Sequence, residues 1–544
     1  MLPAVSGAEH FTADERARLA PFFTNLDGHV FALTNLPETV KGALFARYSR
    51  SAKSLRRLFL DEFADNVNDG GAAAPEAPST SAAVERAERL YARVFSDYGD
   101  DSVAQLGGAH IACEYVSNVL TKVLEWGRLM SYLEQSTRYV PYTDRLHGRW
   151  RYHLPAELEA GALRDQYVRA MDTAFECYAE WIPRMQEYYA ARHPRGANDS
   201  EGVHRAAIRA KALDTLRGLL PAATQSNVGL FGSGQAFESL LLRMRAHPLL
   251  EVRACADEML VELRKVIPAF LTRLDQPDRG GRWSQYLADA RRATDRLCEG
   301  LLQGVAADER EEVTLCDFDP DGETKVVAAA LYASSALPDD QLLGIAREMT
   351  PDVRAQVLRA YVGDRGNRRH RPGRAFERTA YRFDVLTDYG AFRDLQRHRL
   401  LTLEWQPLTT RHGYSEPAAM VEAGGQDAWR RVMDASAELH ERLHASGHVA
   451  IASYAVAMAY RVRFYMDMNA REAMHVIELR SAPQGHPAYR RVCQRMHTLI
   501  AEQAGHRAIA GVMQFADHSE VALERLNAER ALEARRARSG GTAQ

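Results

Sequence analysis

The sequence predicts an α+β fold that is rich in helix and present in two tandem copies, each a sheet covered by helices. Three observations lead to this prediction. At 544 residues the chain is too long for one ordinary hydrophobic core. Several long segments carry apolar residues at three- and four-residue spacing, which is typical of helices that bury one face. A series of short motifs occurs twice in the same order, which indicates that a whole domain was duplicated.

Helices are predicted where the apolar spacing is clearest, at 213–220, 236–271, 283–302, 429–443 and 471–504. Short segments with alternating or β-branched and aromatic residues predict strands at 109–116, 381–386 and 459–466. A Gly-Ser-Gly sequence at 232–234 follows no strand of the type that precedes a dinucleotide-binding loop, so we interpret it as a turn.

The two copies are recognised by three matching segments. ETVK at 38–41 is repeated as ETKV at 323–326. EWGRLMSYLEQSTRYVPY, which begins at Glu125, corresponds to QRHRLLTLEWQPLTTRHGY, which begins at Gln396. LLLRM, which contains Arg243, corresponds to IELRS, which contains Arg480. We therefore predict a first domain at 1–308 and a second at 309–530, with a flexible insertion at 68–83 and a disordered tail at 531–544.

Composition excludes some classes of function. The chain has 69 basic and 72 acidic residues and a net charge of -3, which gives no support for a broad nucleic-acid or membrane surface. The 6 cysteines form no CxxC pair and no zinc spacing, so we expect a reducing compartment and no metal site. No segment has the apolar length of a membrane span, and the N-terminus lacks the apolar run of a signal peptide. We expect a cytoplasmic protein.

The second copy carries a dense group of nitrogen-rich side chains. Arg397, His398 and Arg399 follow one another, and such a triplet can hold a diphosphate or the face of a flavin ring. Further on, Asn469 and Arg471 precede His475 and Arg480 on a predicted helix. Arg471 and His475 are four residues apart and therefore share one face of that helix.

These segments resemble the flavin-dependent thymidylate synthases. The second copy matches the RHRxxS motif, with Thr402 in place of the serine, and the NAR motif that is followed by LR. The first copy matches the family's S-x-N-E-x-S-x-R-Y motif at 131–139, with Leu133 in place of the asparagine, and its R-x-x-L-P motif at 217–221. The resemblance implies a thymidylate synthase fold twice over, with FAD as cofactor and methylenetetrahydrofolate and NADPH as co-substrates.

Each copy has kept the motifs that the other has lost. The first copy has Trp126, Gly127 and Arg128 at its RHR position, and the second has no R-x-x-L-P motif. The resemblance therefore implies a composite site. The residues implied in nucleotide binding come from the first copy and are Ser131, Glu134, Gln135, Ser136, Thr137, Arg138 and Arg217. The residues implied in FAD binding come from the second copy and are Arg397, His398, Arg399, Asn469, Arg471 and His475.

The resemblance implies a catalytic role for Arg480 or for its first-copy counterpart Arg243. A cation within about 4–6 Å of uracil N3 favours the anionic ring by roughly one to three pKa units, which makes C5 more electron-rich. The flavin supplies the hydride, so no cysteine nucleophile is needed. The implied reaction converts dUMP to dTMP. Two alternatives stay open: a related flavin enzyme that acts on another pyrimidine nucleotide or makes a hydroxymethyl product, and a non-catalytic relative that binds a nucleotide or a partner protein.

The family's four-subunit arrangement implies a homodimer of tandem chains, in which two fused chains replace four single ones. Whether a site forms within one chain or between two is left open by the sequence.

Overall fold

The computed structural model describes residues 10–28, 30–48, 51–64 and 105–540. The chain forms two compact units. Unit 1 consists of Met1–Cys113, Leu129–Leu133 and Val228–Gly304, and unit 2 consists of Glu114–Arg128, Glu134–Asn227 and Val305–Gln544. The units therefore divide the chain differently from the two sequence copies, and unit 2 contains segments of both. The predicted insertion at 68–83 lies outside the described residues.

Helices and strands are interspersed along the described part of the chain. The α-helices are Ala13–Leu19, Glu38–Tyr48, Leu55–Glu62, Asn118–Leu124, Ala162–Arg192, Glu201–Leu216, Gly234–Arg245, Leu250–Arg264, Arg282–Leu301, Gly322–Tyr332, Asp339–Glu348, Pro351–Val362, Tyr389–Leu395, Ala418–Glu422, Gln426–Ala445, Ala470–Arg480, Pro487–Glu502, Arg507–Gly511 and Leu526–Gly540. The strands are β1 (Gly108–Ser117), β2 (Met130–Glu134), β3 (Arg145–Leu146), β4 (Arg149–Trp150), β5 (Gln225–Ser233), β6 (Val313–Phe318), β7 (Ala380–Asp388), β8 (Thr402–Trp405) and β9 (Arg461–Asn469).

The sheets repeat one topology. The first has the strand order β1-β5-β2, and the second has the order β6-β7-β9-β8. The strands β7-β9-β8 thus repeat the arrangement of β1-β5-β2, and β6 is added at the edge. In the second sheet β7 pairs antiparallel with both β6 and β9, and Ala380 lies opposite Asn469. The shared order agrees with the duplication predicted from the motifs.

A second repeated feature is the strand that passes directly into a helix through a capping side chain. The four capping residues are Ser117, Ser233, Asp388 and Asn469, and each accepts a hydrogen bond from a backbone N–H in the first turn of its helix. Such caps satisfy N–H groups that have no partner within the helix. The Gly-Ser-Gly sequence at 232–234 is therefore the start of a capped helix, and the interpretation as a turn is wrong.

The predicted strands at 109–116, 381–386 and 459–466 correspond to β1, β7 and β9, although β9 begins only at Arg461. Two predicted helices are in fact each split. The segment 236–271 breaks after Arg245, next to Pro248, and the segment 471–504 breaks after Arg480, where Pro487 begins the next helix. Proline lacks an N–H donor and disfavours helical geometry in the preceding residue, so an apolar period can continue through a break in the backbone.

The predicted disorder of the C-terminal tail is wrong for 531–540, because a helix covers Leu526–Gly540. This segment is rich in Ala, Leu, Glu and Arg, which have high helix propensity. The helix packs on the helix Glu201–Leu216, and the Arg530 guanidinium bonds to the Asp199 carboxylate at 2.5 and 2.9 Å.

In the part of the chain that the structure describes, no helix is long and apolar enough to cross a membrane. The 6 cysteines are free thiols.

A close backbone approach in unit 2 joins segments of the two sequence copies. The Ala459 N–H donates to the Gly218 carbonyl at 2.9 Å, and the Met458 N–H donates to the Leu220 carbonyl at 2.9 Å. A Cβ at Gly218 would lie 2.8 Å from the Trp429 ring and 3.1 Å from the Ala459 side chain. Glycine is therefore required at 218 by space.

We expect Gly218→Ala to destabilise unit 2 by about 1–3 kcal/mol, since overpacking forces Trp429 or the backbone to shift. The matched control is Gly344→Ala in the helix Asp339–Glu348, where a Cβ meets nothing within 4 Å. That control should gain about 0.5–1 kcal/mol, because alanine has the higher helix propensity. Thermal denaturation of both variants measures the difference, and equal midpoints would contradict the close packing.

Candidate functional site

The Arg397-His398-Arg399 segment follows β7 and the short helix Tyr389–Leu395. Asp388 caps this helix by accepting from the Ala391 N–H at 2.8 Å. The helix is buried along its whole length, so the segment that follows begins inside the protein. His398 is buried, Arg397 is half-buried and Arg399 is exposed.

The helix Ala470–Arg480 positions the second group. The Asn469 side chain caps it by accepting from the Glu472 N–H at 2.9 Å. The Nε of Arg471 donates to the Pro372 carbonyl at 2.9 Å. Asn469 and Arg471 therefore have structural partners, while His475 and Arg480 lie beside His398.

Arginines that we predicted to bind the nucleotide, to bind FAD and to act in catalysis all contact one carboxylate. The Asp394 carboxylate contacts Arg397 through Oδ1, lies 3.6 Å from Arg480 Nη1, and accepts from Arg217 Nη1 at 3.5 Å. Arg138 is near enough to act on Asp394 electrostatically. We call Arg138, Arg217, Arg397 and Arg480 the arginine cluster. Burial opposes the charge of Asp394, but the attraction of the cluster is larger and holds its pKa well below the usual range.

Arg138 is held by a second carboxylate. Its Nε and Nη2 donate to Asp214 at 2.7 and 2.6 Å, in the two-pronged geometry typical of strong arginine–carboxylate pairs. Its Nη1 donates to the Gln484 carbonyl at 3.1 Å and to the Tyr489 hydroxyl at 3.3 Å. Arg138 is thus held by groups from both copies.

Arg480 is oriented by a hydrogen-bonded triad of Glu472, His398 and Arg480. Arg480 Nε donates to His398 Nε2 at 2.9 Å, and His398 Nδ1 lies 3.5 Å from Glu472 Oε1. Burial lowers the pKa of His398 to about 4, against the bond to Glu472, which raises it. Burial raises the pKa of Glu472, but its bonds to His398 and His475 outweigh that effect and bring it to about 2. At neutral pH the triad therefore contains a carboxylate, a neutral imidazole and a guanidinium.

His398, Glu472 and His475 also bring three potential metal ligands within 4.8 Å of one another. Two imidazole nitrogens and a carboxylate suit zinc or iron. However, the bond from Arg480 occupies the lone pair of His398 Nε2, so the proton of the neutral ring is on Nδ1, which faces Glu472. A protonated Nδ1 cannot bind a metal. These residues therefore fit the triad better than a metal centre.

Glu134, which we predicted to bind a nucleotide, is buried in an ion network. Its carboxylate accepts from Arg393 Nη2 at 2.7 Å and from Lys122 Nζ at 3.2 Å. Lys122 also donates to Glu125 at 2.5 Å. Burial raises the pKa of Glu134, but the charges of Arg393 and Lys122 outweigh this and lower it to about 2. This network leaves Glu134 enclosed by protein.

The remaining predicted residues are dispersed. Gln135 accepts from Arg151 at 3.2 Å, the Ser136 hydroxyl accepts from the Arg138 N–H at 3.3 Å, and Thr137 is buried. Ser131 and Arg243 belong to unit 1, where burial lowers the pKa of Arg243. All the other predicted residues belong to unit 2.

Sequence reasoning missed the acids Asp214, Asp394 and Glu472. Each lies three residues from a predicted site residue, namely Arg217, Arg397 and His475. This spacing puts side chains on the same face of a helix, so it was a usable signal.

A cavity of about 380 Å³ lies beside the arginine cluster in unit 2. Its lining includes Lys211, Asp214 and Arg217 from the first copy and Ser415, Trp429 and His486 from the second. Burial, together with the charges of Arg217 and Arg138, holds the pKa of His486 well below its usual range. The cavity is large enough for a small organic ligand.

A family model described as thymidylate synthase complementing protein matches the chain twice, over residues 46–269 and 314–504. Two successive matches confirm the tandem duplication. The UPF0159 protein of Chlamydia pneumoniae is 38% identical over 528 residues, which cover 96% of this chain and 98% of that protein. The flavin-dependent thymidylate synthase of Clostridium tetani is 26% identical over 180 residues, which cover 33% of this chain and 67% of that enzyme.

Among solved structures, a UMP/dUMP methylase, PolB from Streptomyces cacaoi, bound with 5-Br dUMP, is 19% identical. The match covers 37% of this chain and 96% of that one, with a TM-score of 0.29. A score this low supports no comparison of atomic positions.

The triad makes a prediction about pH. The pKa of His398 is about 4 in the folded protein and 6.5 for an ordinary histidine, the value expected in the unfolded chain. Between these two pH values the His398 imidazole is protonated only when the chain is unfolded. The contribution of His398 to stability is therefore complete above about pH 6.5 and is lost as the pH falls toward 4.

Glutamine at position 398 cannot titrate. On acidification from about pH 7 to about pH 4.5 we therefore expect the free energy of unfolding of His398→Gln to fall less than that of the wild type, by up to about 2–3 kcal/mol. Urea denaturation at several pH values measures the effect. His444→Gln, at an exposed position of the same unit, is the control and should follow the wild type. Identical pH profiles for His398→Gln and the wild type would contradict a neutral, buried His398.

Proposed function

Because this chain belongs to the thymidylate synthase complementing protein family, that of the flavin-dependent thymidylate synthases, we propose that it methylates the pyrimidine ring of a nucleotide. In the specific form of the proposal, dUMP becomes dTMP, methylenetetrahydrofolate donates the carbon, and FAD reduced by NADPH donates the hydride.

The observation that carries this proposal is the meeting of both sequence copies in unit 2. Arg138 and Arg217 come from the copy that retains the nucleotide motifs, and Arg397 and Arg480 come from the copy that retains the flavin motifs. Arg217, Arg397 and Arg480 all contact Asp394. This arrangement supports a composite site within one chain, in which neither copy alone supplies the full set of residues.

FAD fits the donors present on the second-copy side. Among the described residues, the buried Nε of Arg397 has no hydrogen-bond partner. A guanidinium with a spare N–H suits a diphosphate or a ring carbonyl. Arg397, together with His475, which lies beside the neighbouring His398, would hold the cofactor, which supplies the hydride when bound. Asn469 contributes by fixing the start of the helix that carries His475.

Arg480 is suited to act on the pyrimidine ring. Its Nε is held by His398, and its guanidinium lies 5.5 Å from the centre of the Tyr489 ring. These contacts fix the charge in one position, so that it can favour ionisation of a ring N–H placed within about 4–6 Å. Asp394, 3.6 Å from Nη1, moderates that charge. In this proposal Arg480 is the catalytic residue of the site, and His398 positions it.

A second candidate function is nucleotide binding without catalysis, or catalysis on another pyrimidine nucleotide. The pairing of Arg138 with Asp214 favours it, because an arginine held by two hydrogen bonds to a carboxylate is less available to a phosphate. Retained flavin separates the enzymes from the binding protein. Oxidation of the reduced flavin by dUMP and methylenetetrahydrofolate separates the specific enzyme from a relative with another substrate.

The proposed assembly is a homodimer of tandem chains. Sedimentation equilibrium should then give a native mass of two chains, and a mass of one chain would contradict this part of the proposal.

We expect the purified protein, incubated with FAD and freed of excess FAD, to retain stoichiometric flavin absorption. We expect Arg397→Ala to bind flavin roughly 10- to 100-fold more weakly, because it lacks a charge-assisted hydrogen bond. Arg205→Ala, at an exposed position of the same unit, is the control and should retain flavin as the wild type does. If the wild type retains no flavin at any concentration, the proposed enzyme is wrong.

A further inference from the structure

The cations of the candidate site already have anions of their own. Arg138 pairs with Asp214, and Arg217, Arg397 and Arg480 share Asp394. The side chain of Asp394 is only 12% exposed, so water screens these contacts poorly. The arginine cluster is therefore not an open site for a doubly charged anion, although four guanidinium groups suggest one.

The contacts of Asp394 differ in strength. Its bond to Arg397 is short, whereas Arg217 and Arg480 lie at 3.5 and 3.6 Å, at the outer limit of such pairs. Moreover, Nη2 of Arg217 is buried and has no hydrogen-bond partner among the described residues. Arg217 thus keeps a donor for another anion, while Arg397 keeps Asp394 in place.

We propose that Asp394 is a specificity-determining residue, an internal counter-anion that limits how tightly the arginine cluster binds the phosphate of a nucleotide. This inference rests on the proposed function. A phosphate that approaches Arg217 gains its attraction but meets the repulsion of the Asp394 carboxylate, which pairs with the same cation. The wild-type protein therefore discriminates only weakly between a nucleotide and its nucleoside, and much of the binding free energy comes from the base and sugar.

The test compares dUMP with deoxyuridine by isothermal titration calorimetry at fixed ionic strength. In the wild type we expect the dissociation constants of dUMP and deoxyuridine to differ by less than about tenfold. We expect Asp394→Asn to bind dUMP at least about tenfold more tightly than the wild type does, with its affinity for deoxyuridine unchanged. A merely structural role would weaken both ligands together. Asp199→Asn, which removes a buried carboxylate from the Arg530 pair of the same unit, is the matched control and should behave as the wild type.

The proposal is overturned if Asp394→Asn folds and binds dUMP no more tightly than the wild type. It is also overturned, without any variant, if the wild type prefers dUMP over deoxyuridine by more than about tenfold. This second arm decides the matter if Asp394→Asn does not fold.

Orthophosphate separates this inference from the proposed function, because its binding requires neither flavin nor a pyrimidine. We expect orthophosphate to raise the thermal midpoint of Asp394→Asn, and not of the wild type or Asp199→Asn, relative to chloride at equal ionic strength. That result with no flavin retained would leave Asp394 as an anion regulator in a non-catalytic relative. No shift in any of the three proteins, together with unchanged dUMP affinity, would overturn the inference while flavin retention still supported the enzyme.

Discussion

A carboxylate removed from water requires a cation, and a buried arginine requires an anion, because an unpaired charge in the interior costs several kcal/mol. Asp394 meets this requirement with Arg217 from one sequence copy and with Arg397 and Arg480 from the other. The pairing brings together segments far apart in sequence. Glu134 meets the same requirement with Arg393 and Lys122.

The same requirement explains how two incomplete copies can form one site. In the proposed function each copy supplies only part of the chemistry, and Arg217 of the first copy meets Arg397 and Arg480 of the second at Asp394 inside unit 2. Backbone hydrogen bonds from Met458 and Ala459 to Leu220 and Gly218 fix that contact. Trp429 packs on the glycine beside Arg217, so the site adjoins a closely packed contact between the copies.

The orientation of Arg480 shows how far a linear motif can be interpreted. Its place on a helix with Glu472 and His475 follows from the spacing alone. Its hydrogen bond to His398 could not be inferred from the spacing, since 82 residues separate the two. The proton on His398 Nδ1 then follows from that bond, and it disfavours metal binding by a trio of side chains that would otherwise suit zinc or iron.

The sequence by itself determined the duplication, the family resemblance, the strands β1, β7 and β9 and the basic residues of the site, because ordered motifs and apolar periods are local properties. It did not reveal the breaks at Pro248 and Pro487 within continuous apolar periods, or the helix at the C-terminus. Only the tertiary structure decided which predicted residues meet: Arg138, Arg217, Arg397 and Arg480 gather at Asp394 and Asp214, Glu134 is enclosed, and Arg471 faces Pro372. The physical reason is that an ion pair forms between charges that are close in space, and the packing of the two copies determines which charges are close.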